Sequence, residues 1–84
     1  MSEDRIEDRI KRMIVERCAF KTPPEAIGDE DSLYSRWKLE SVKILELVVA
    51  MEEEFGIEFE DKEFTKANFE TVARIASVVR SKTA

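Results

Sequence analysis

The sequence predicts an all-α domain, a four-helix bundle with a long loop between helices 1 and 2 and a short third helix. Two glycines and two prolines in 84 residues are too few for the turns of an all-β domain. Apolar residues recur at spacings of three and four after Glu3, after Ser41 and after Thr71, the period of helices with a buried face. A chain this short hides only about 60–65% of its unfolded surface, so it forms one domain (1–84) around one compact core.

Helix 1 is expected from residue 3 to about 19, with Ile6, Ile10, Met13, Ile14 and Cys18 on one stripe. Ser2 can cap it, and Glu3 and Asp4 suit the positive end of its dipole. Pro23 and Pro24 stop it, because Pro23 disfavours helical geometry at Thr22 and neither proline has an amide hydrogen. Residues 22–40 read as a long loop, packed along the domain by Ile27, Leu33, Tyr34, Trp37 and Leu39, with a helical turn near Asp31–Arg36.

Helix 2 runs from Ser41-Val42 to Phe55, and Gly56 follows where a C-terminal glycine cap belongs. Val42, Leu45 and Val49 form one stripe; Ile44, Leu47, Val48, Met51 and Phe55 form another beside it. So wide an apolar face predicts burial against neighbours on two sides. Ile57-Glu58-Phe59 alternates like a strand, but so short a segment without a partner makes no sheet; it reads as a connector that drops Ile57 and Phe59 onto the core. A short third helix is expected at Asp61–Ala67, anchored by Phe64. The last helix starts around Asn68–Thr71, carries Val72, Ile75, Ala76 and Val79, and frays from about residue 82.

Composition removes several classes of activity. The chain has no histidine, which excludes ordinary Ser–His and Cys–His hydrolysis. Cys18 is the one cysteine, so there is no intrachain disulfide and no cysteine zinc site, and it reads as a structural thiol. No metal cluster and no catalytic residue are expected. No apolar run approaches the ~20 residues of a membrane span, and Met-Ser-Glu-Asp-Arg is not a signal sequence; a cytoplasmic monomer fits best. Net charge runs +1 over residues 1–22, −3 over 23–42, −6 over 43–64 and +3 over 65–84. An acidic middle argues against nucleic acid and for a basic protein surface as partner.

Ser41 is singled out by position. It follows a coil and opens the most apolar helix, where free amide hydrogens and the dipole favour an anion. Its hydroxyl can cap the helix, contributing about 1 kcal/mol over alanine. Alternatively it is exposed and carries a phosphodiester, stabilised by roughly 0.3–1 kcal/mol of dipole interaction.

The run Leu39-Glu40-Ser41-Val42, with Leu45-Glu46-Leu47-Val48-Val49-Ala50-Met51-Glu52-Glu53-Glu54-Phe55-Gly56-Ile57, resembles the acyl carrier proteins. The likeness is strong over residues 39–59 and diffuse over the rest. In that family an Asp-Ser-Leu-type motif opens the second of four helices, and its serine bears 4′-phosphopantetheine. The resemblance implies a discrete, non-catalytic carrier that holds acyl groups as thioesters on an arm at Ser41. Its implied partners are a phosphopantetheinyl transferase and the acyl-loading and acyl-processing enzymes. Val42, Glu46 and Met51 are implied as the recognition patch, with Glu40, Lys43 and Glu52 beside them.

Departures from the family pattern carry information. Glu40 stands for the usual aspartate, which helps position the metal during arm transfer in the family; glutamate keeps the charge and lengthens the reach. Lys38 replaces a common glycine, and Lys43 a position usually acidic in fatty-acid synthesis carriers. Arg36, Lys38 and Lys43 put positive charge beside Ser41, which disfavours basic partners and implies a dedicated lipid or polyketide-type pathway. Aminoacyl and peptidyl carriers remain an alternative. Peptidyl carriers more often have glycines where this chain has Trp37-Lys38-Leu39, but D-alanyl carriers share the Phe-Gly-Ile ending. A third reading is an unmodified helical interaction module. So small a bundle is expected to have little spare volume, so that cargo enters only by prying apart helix 2 and its neighbours. Only a short or polar cargo would then be sheltered, with Tyr34 and Trp37 shielding one end.

Overall fold

The structure, a computed structural model, describes residues 5–18 and 21–83. Among them are three α-helices and no strand: α1 (Ile6–Arg17), α2 (Ser41–Phe55) and α3 (Val72–Thr83). Single 3₁₀ turns occur at Pro24–Ala26, Asp61–Glu63 and Ala67–Phe69. The expected cap Ser2, with Glu3, Asp4 and Ala84, lies outside the described residues.

Helix α1 buries Ile10, Met13, Ile14 and Cys18, as its spacing requires, and ends slightly earlier than expected. Two charged residues are buried with them, and both are paired. Glu7 accepts two hydrogen bonds of 2.8 Å from Arg80 of α3, and Lys11 lies 2.6 Å from Asp29 of the long loop. On the other flank Arg9 reaches Glu54 of α2 at 2.6 Å and lies over the Phe55 ring. The hydrogen bond from Arg80 holds the Glu7 carboxyl below its ordinary range, against an opposing push from burial. A carboxylate whose folded pKa is depressed stabilises the fold above its unfolded pKa and stops doing so as pH falls through the folded one. Glu7→Gln is therefore expected to flatten the acid limb of a stability–pH curve below about pH 4.3 while lowering stability at neutrality. An unchanged acid limb would contradict this.

The long loop is packed, as its apolar residues predicted: Ile27, Leu33 and Leu39 are buried. Asp31 organises it, accepting hydrogen bonds from the Gly28 amide at 2.8 Å and the Trp37 indole at 3.2 Å. The helical turn expected near 31–36 is present as one turn, closed by Arg36 N–H to the Ser32 carbonyl. Leu33 N–H donates to the Glu70 carbonyl at 2.8 Å and Ala73 N–H to that of Asp29 at 3.0 Å, tying the loop to the start of α3.

Helix α2 turns Ile44, Leu47, Val48, Ala50 and Met51 inward. It ends at Gly56, whose φ of 65° is the left-handed cap that glycine adopts without a Cβ penalty. One expectation fails here. Val42, Leu45 and Val49 are 64%, 57% and 52% exposed, so α2 is packed on one side only. With three α-helices among the described residues, no element covers the second stripe.

The expected third α-helix is absent, and with it the fourth member of the bundle. Glu60 and Glu63 form a capping box around one 3₁₀ turn. Phe64 then leaves helical geometry at ψ 67°, and the chain turns again at Ala67–Phe69. A helix this short is marginal unless packing supports it, and its one apolar anchor, Phe64, is 40% exposed. Phe64 instead joins Phe59 and Phe69 in a ring cluster, with centroids 5.9–6.2 Å apart. Helix α3 buries Val72, Ile75, Ala76 and Val79. It continues through Thr83, past the expected fray at 82, and Lys82 pairs there with Glu63 at 2.7 Å.

Candidate functional site

Glu40 is the N-cap of α2, with extended backbone and no capping hydrogen bond from its side chain. Ser41 is the first helical residue, one position past the place from which a hydroxyl caps. Its Oγ has no hydrogen-bond partner among the described residues, and the residue is exposed. The geometry thus leaves the hydroxyl free for chemistry. The first-turn amides, uncapped by any side chain, offer donors to an anion. A phosphodiester fits both the free oxygen and the helix end.

An open cleft of about 380 Å³ adjoins Ser41. Ile44 and Leu45 of α2, Phe64 and Phe69 of the ring cluster, Tyr34, Thr65 and Lys66 complete its lining. This space lies open at the surface between α2 and the 64–69 segment, beside Ser41. Tyr34 lines it as expected. Trp37 does not; its indole is engaged by Asp31, and Arg36 lies over its ring.

The remaining candidates divide. Glu40, Val42 and Glu46 are exposed and Lys43 is half-buried, so these four surround or follow Ser41 on accessible surface. Met51 is 0% exposed and cannot meet a partner in the folded chain. Glu52 is also turned to the fold, its carboxylate accepting the Phe59 amide at 2.9 Å, which fixes the connector. The outward face is instead Val42, Leu45, Glu46, Val49 and Glu53. Sequence reasoning missed Leu45 and Val49 as surface residues. The available signal was that two apolar stripes exceed what so few helices can cover.

Of the three cations near Ser41, Arg36 is held 3.3 Å from Asp31, while Lys38 is exposed. Lys38 also adopts a left-handed φ of 60°, the conformation glycine tolerates best; this accounts for the common glycine at that position in the family pattern. Cys18 is buried, and burial pushes its thiol up despite the opposing charge of Lys43, so it is a packing residue.

Residues 8–79 match the family model described as the phosphopantetheine attachment site. The acyl carrier protein of Buchnera aphidicola subsp. Acyrthosiphon pisum (strain 5A) is 36% identical over 77 residues, 92% of this chain and 91% of its own. The acyl carrier protein of Wolinella succinogenes is 35% identical over 73 residues, 87% of each chain. A crystal structure of an engineered Bradyrhizobium japonicum glycine:[carrier protein] ligase with carrier protein from Agrobacterium tumefaciens and ATP contains a similar chain. The two match with a TM-score of 0.79 at 28% identity, over 90% of this chain and 97% of that one.

Proposed function

The chain belongs to the phosphopantetheine-attachment family and is a non-catalytic carrier bearing 4′-phosphopantetheine covalently, and we propose that Ser41 is the residue that bears it. One observation carries the assignment: Ser41 Oγ is exposed, makes no hydrogen bond among the described residues and opens the uncapped end of α2. When bound, the group supplies a terminal thiol on which acyl groups are held as thioesters. The chain's own residues position and present it. The amides of the first turn would donate to its phosphate, Ile44 and Phe69 line the adjoining cleft, and the exposed stripe of α2 would offer a surface to partner enzymes.

We infer a discrete, monomeric, cytoplasmic carrier dedicated to one lipid or polyketide-type pathway, because Lys38 and Lys43 place positive charge where a basic partner would approach. Aminoacyl transfer is the second reading, favoured by likeness to a carrier protein in complex with a glycine ligase. Incubation with coenzyme A and a phosphopantetheinyl transferase, followed by intact mass measurement, tests the site. The expected result is a gain of one arm by the wild type and none by Ser41→Ala. An equal gain by both would remove the assignment.

A further inference from the structure

We propose that Lys38 selects partners whose docking face is acidic where it meets the start of α2 and basic where it meets Glu53, with an apolar strip between. The inference rests on the reading that Ser41 carries the arm, and it adds the charge order of the surface to which that arm is offered. It starts from a backbone cost. Lys38 holds a φ of 60°, where a Cβ crowds the backbone and which glycine or asparagine adopts more readily. Such outliers cluster where a side chain has a function. The fold itself makes no use of this one: Lys38 is exposed and forms no hydrogen bond or ion pair among the described residues. Its neighbour Arg36, by contrast, is held 3.3 Å from Asp31 and lies over the Trp37 ring.

Along the accessible face of α2 the charge then changes sign. Val42, Leu45, Glu46, Val49 and Glu53 recur at spacings of three and four on one exposed face. At its start Lys38 and Lys43 outnumber Glu40 by one; further along, Glu46 and Glu53 are exposed with no ion pair among the described residues. The other acids there are engaged, Glu54 by Arg9 at 2.6 Å and Glu52 by the Phe59 amide at 2.9 Å. Lys43 and Glu53 are ten residues apart, about 15 Å along a helix. A uniformly basic docking face would pair with the two glutamates and meet like charge at the two lysines; a uniformly acidic face would do the reverse. A face bearing both signs in the opposite order pairs at each end of the apolar stripe, and so fixes the direction in which Ser41 is presented. The phosphodiester does not require Lys38, because the first-turn amides of α2 are uncapped by any side chain and would donate to it.

The test uses the holo-protein and three synthetic helical peptides that share one leucine stripe. One has glutamates at its start and lysines at its end, one has lysines at both ends, and one has glutamates at both. Intact mass first establishes the arm on Ser41; its absence overturns the carrier reading and this proposal together. Titrations followed by amide chemical shifts are expected to show the mixed peptide binding about two- to fivefold more tightly than either uniform one, the scale of exposed ion pairs. A nitroxide at its glutamate end should broaden the amides around Lys38 and Lys43 and spare those around Glu53. Lys38→Asn should raise the denaturant midpoint yet reduce the preference for the mixed peptide, and Lys38→Arg should keep that preference. Equal affinity for the three peptides, binding by none, broadening at both ends of α2, a preference unmoved by Lys38→Asn, or a midpoint lowered by it would overturn the proposal while leaving Ser41 as the anchor.

Discussion

Leu47→Ala is expected to lower stability by about 2–5 kcal/mol, whereas Val49→Ala, two positions along the same helix, leaves it within about 0.5 kcal/mol. Leu47 is 0% exposed and Val49 is 52% exposed. Truncating Leu47 leaves a cavity in the buried core that so small a domain cannot collapse around. Domains of this size sit near the lower end of about 5–15 kcal/mol of total stability, so the Leu47 variant unfolds under mild denaturant. At the outward face the ranking reverses, and Val49→Ala weakens transfer to partner enzymes while the fold stands. Denaturant midpoints for the two variants check this directly. Equal midpoints would mean that α2 is packed on both sides, as its composition alone suggested.

The second large effect is expected from reversing charge beside Ser41. Lys43→Glu should raise turnover of the carrier by enzymes of general fatty-acid synthesis about fivefold or more, because a like charge juxtaposed with a basic docking surface costs substantial affinity. Lys43 occupies the first turn of α2. Glutamate there also suits the positive end of the helix dipole, contributing roughly 0.3–1 kcal/mol, so a drop in turnover could not be ascribed to a weakened helix. Steady-state transfer rates for the two forms, compared at low and high salt, decide it. Turnover unaffected by the substitution would show that the charge of Lys43 has no part in choosing partners.

Much of this architecture was legible because local signals agreed. The α1 stripe, the Gly56 cap, the buried loop residues and the apolar face of α3 each follow from spacing and turn chemistry. What misled was quantity. Helix 2 has more apolar surface than the fold covers, and a periodicity argument cannot say which of two adjacent stripes faces in. Met51 was assigned to the partner face on the resemblance, and the structure places it in the core, with Val49 outside. The third helix failed because Asp61–Ala67 has one apolar anchor, so a capping box closes a single turn instead. Ser41 was visible from the start, but its freedom from capping was not; that depends on Glu40 taking the N-cap position, a shift of one residue that sequence does not resolve. The cleft was invisible for a similar reason, since Tyr34, Ile44 and Lys66 meet only in the folded chain.

Residue-level mapping of the modified protein by fragmentation mass spectrometry bears most directly on what this molecule is for. The account predicts the whole of the added phosphopantetheine mass on Ser41, at the open end of α2. Finding it on Ser32, Ser35 or another hydroxyl, with Ser41 bare, would contradict it.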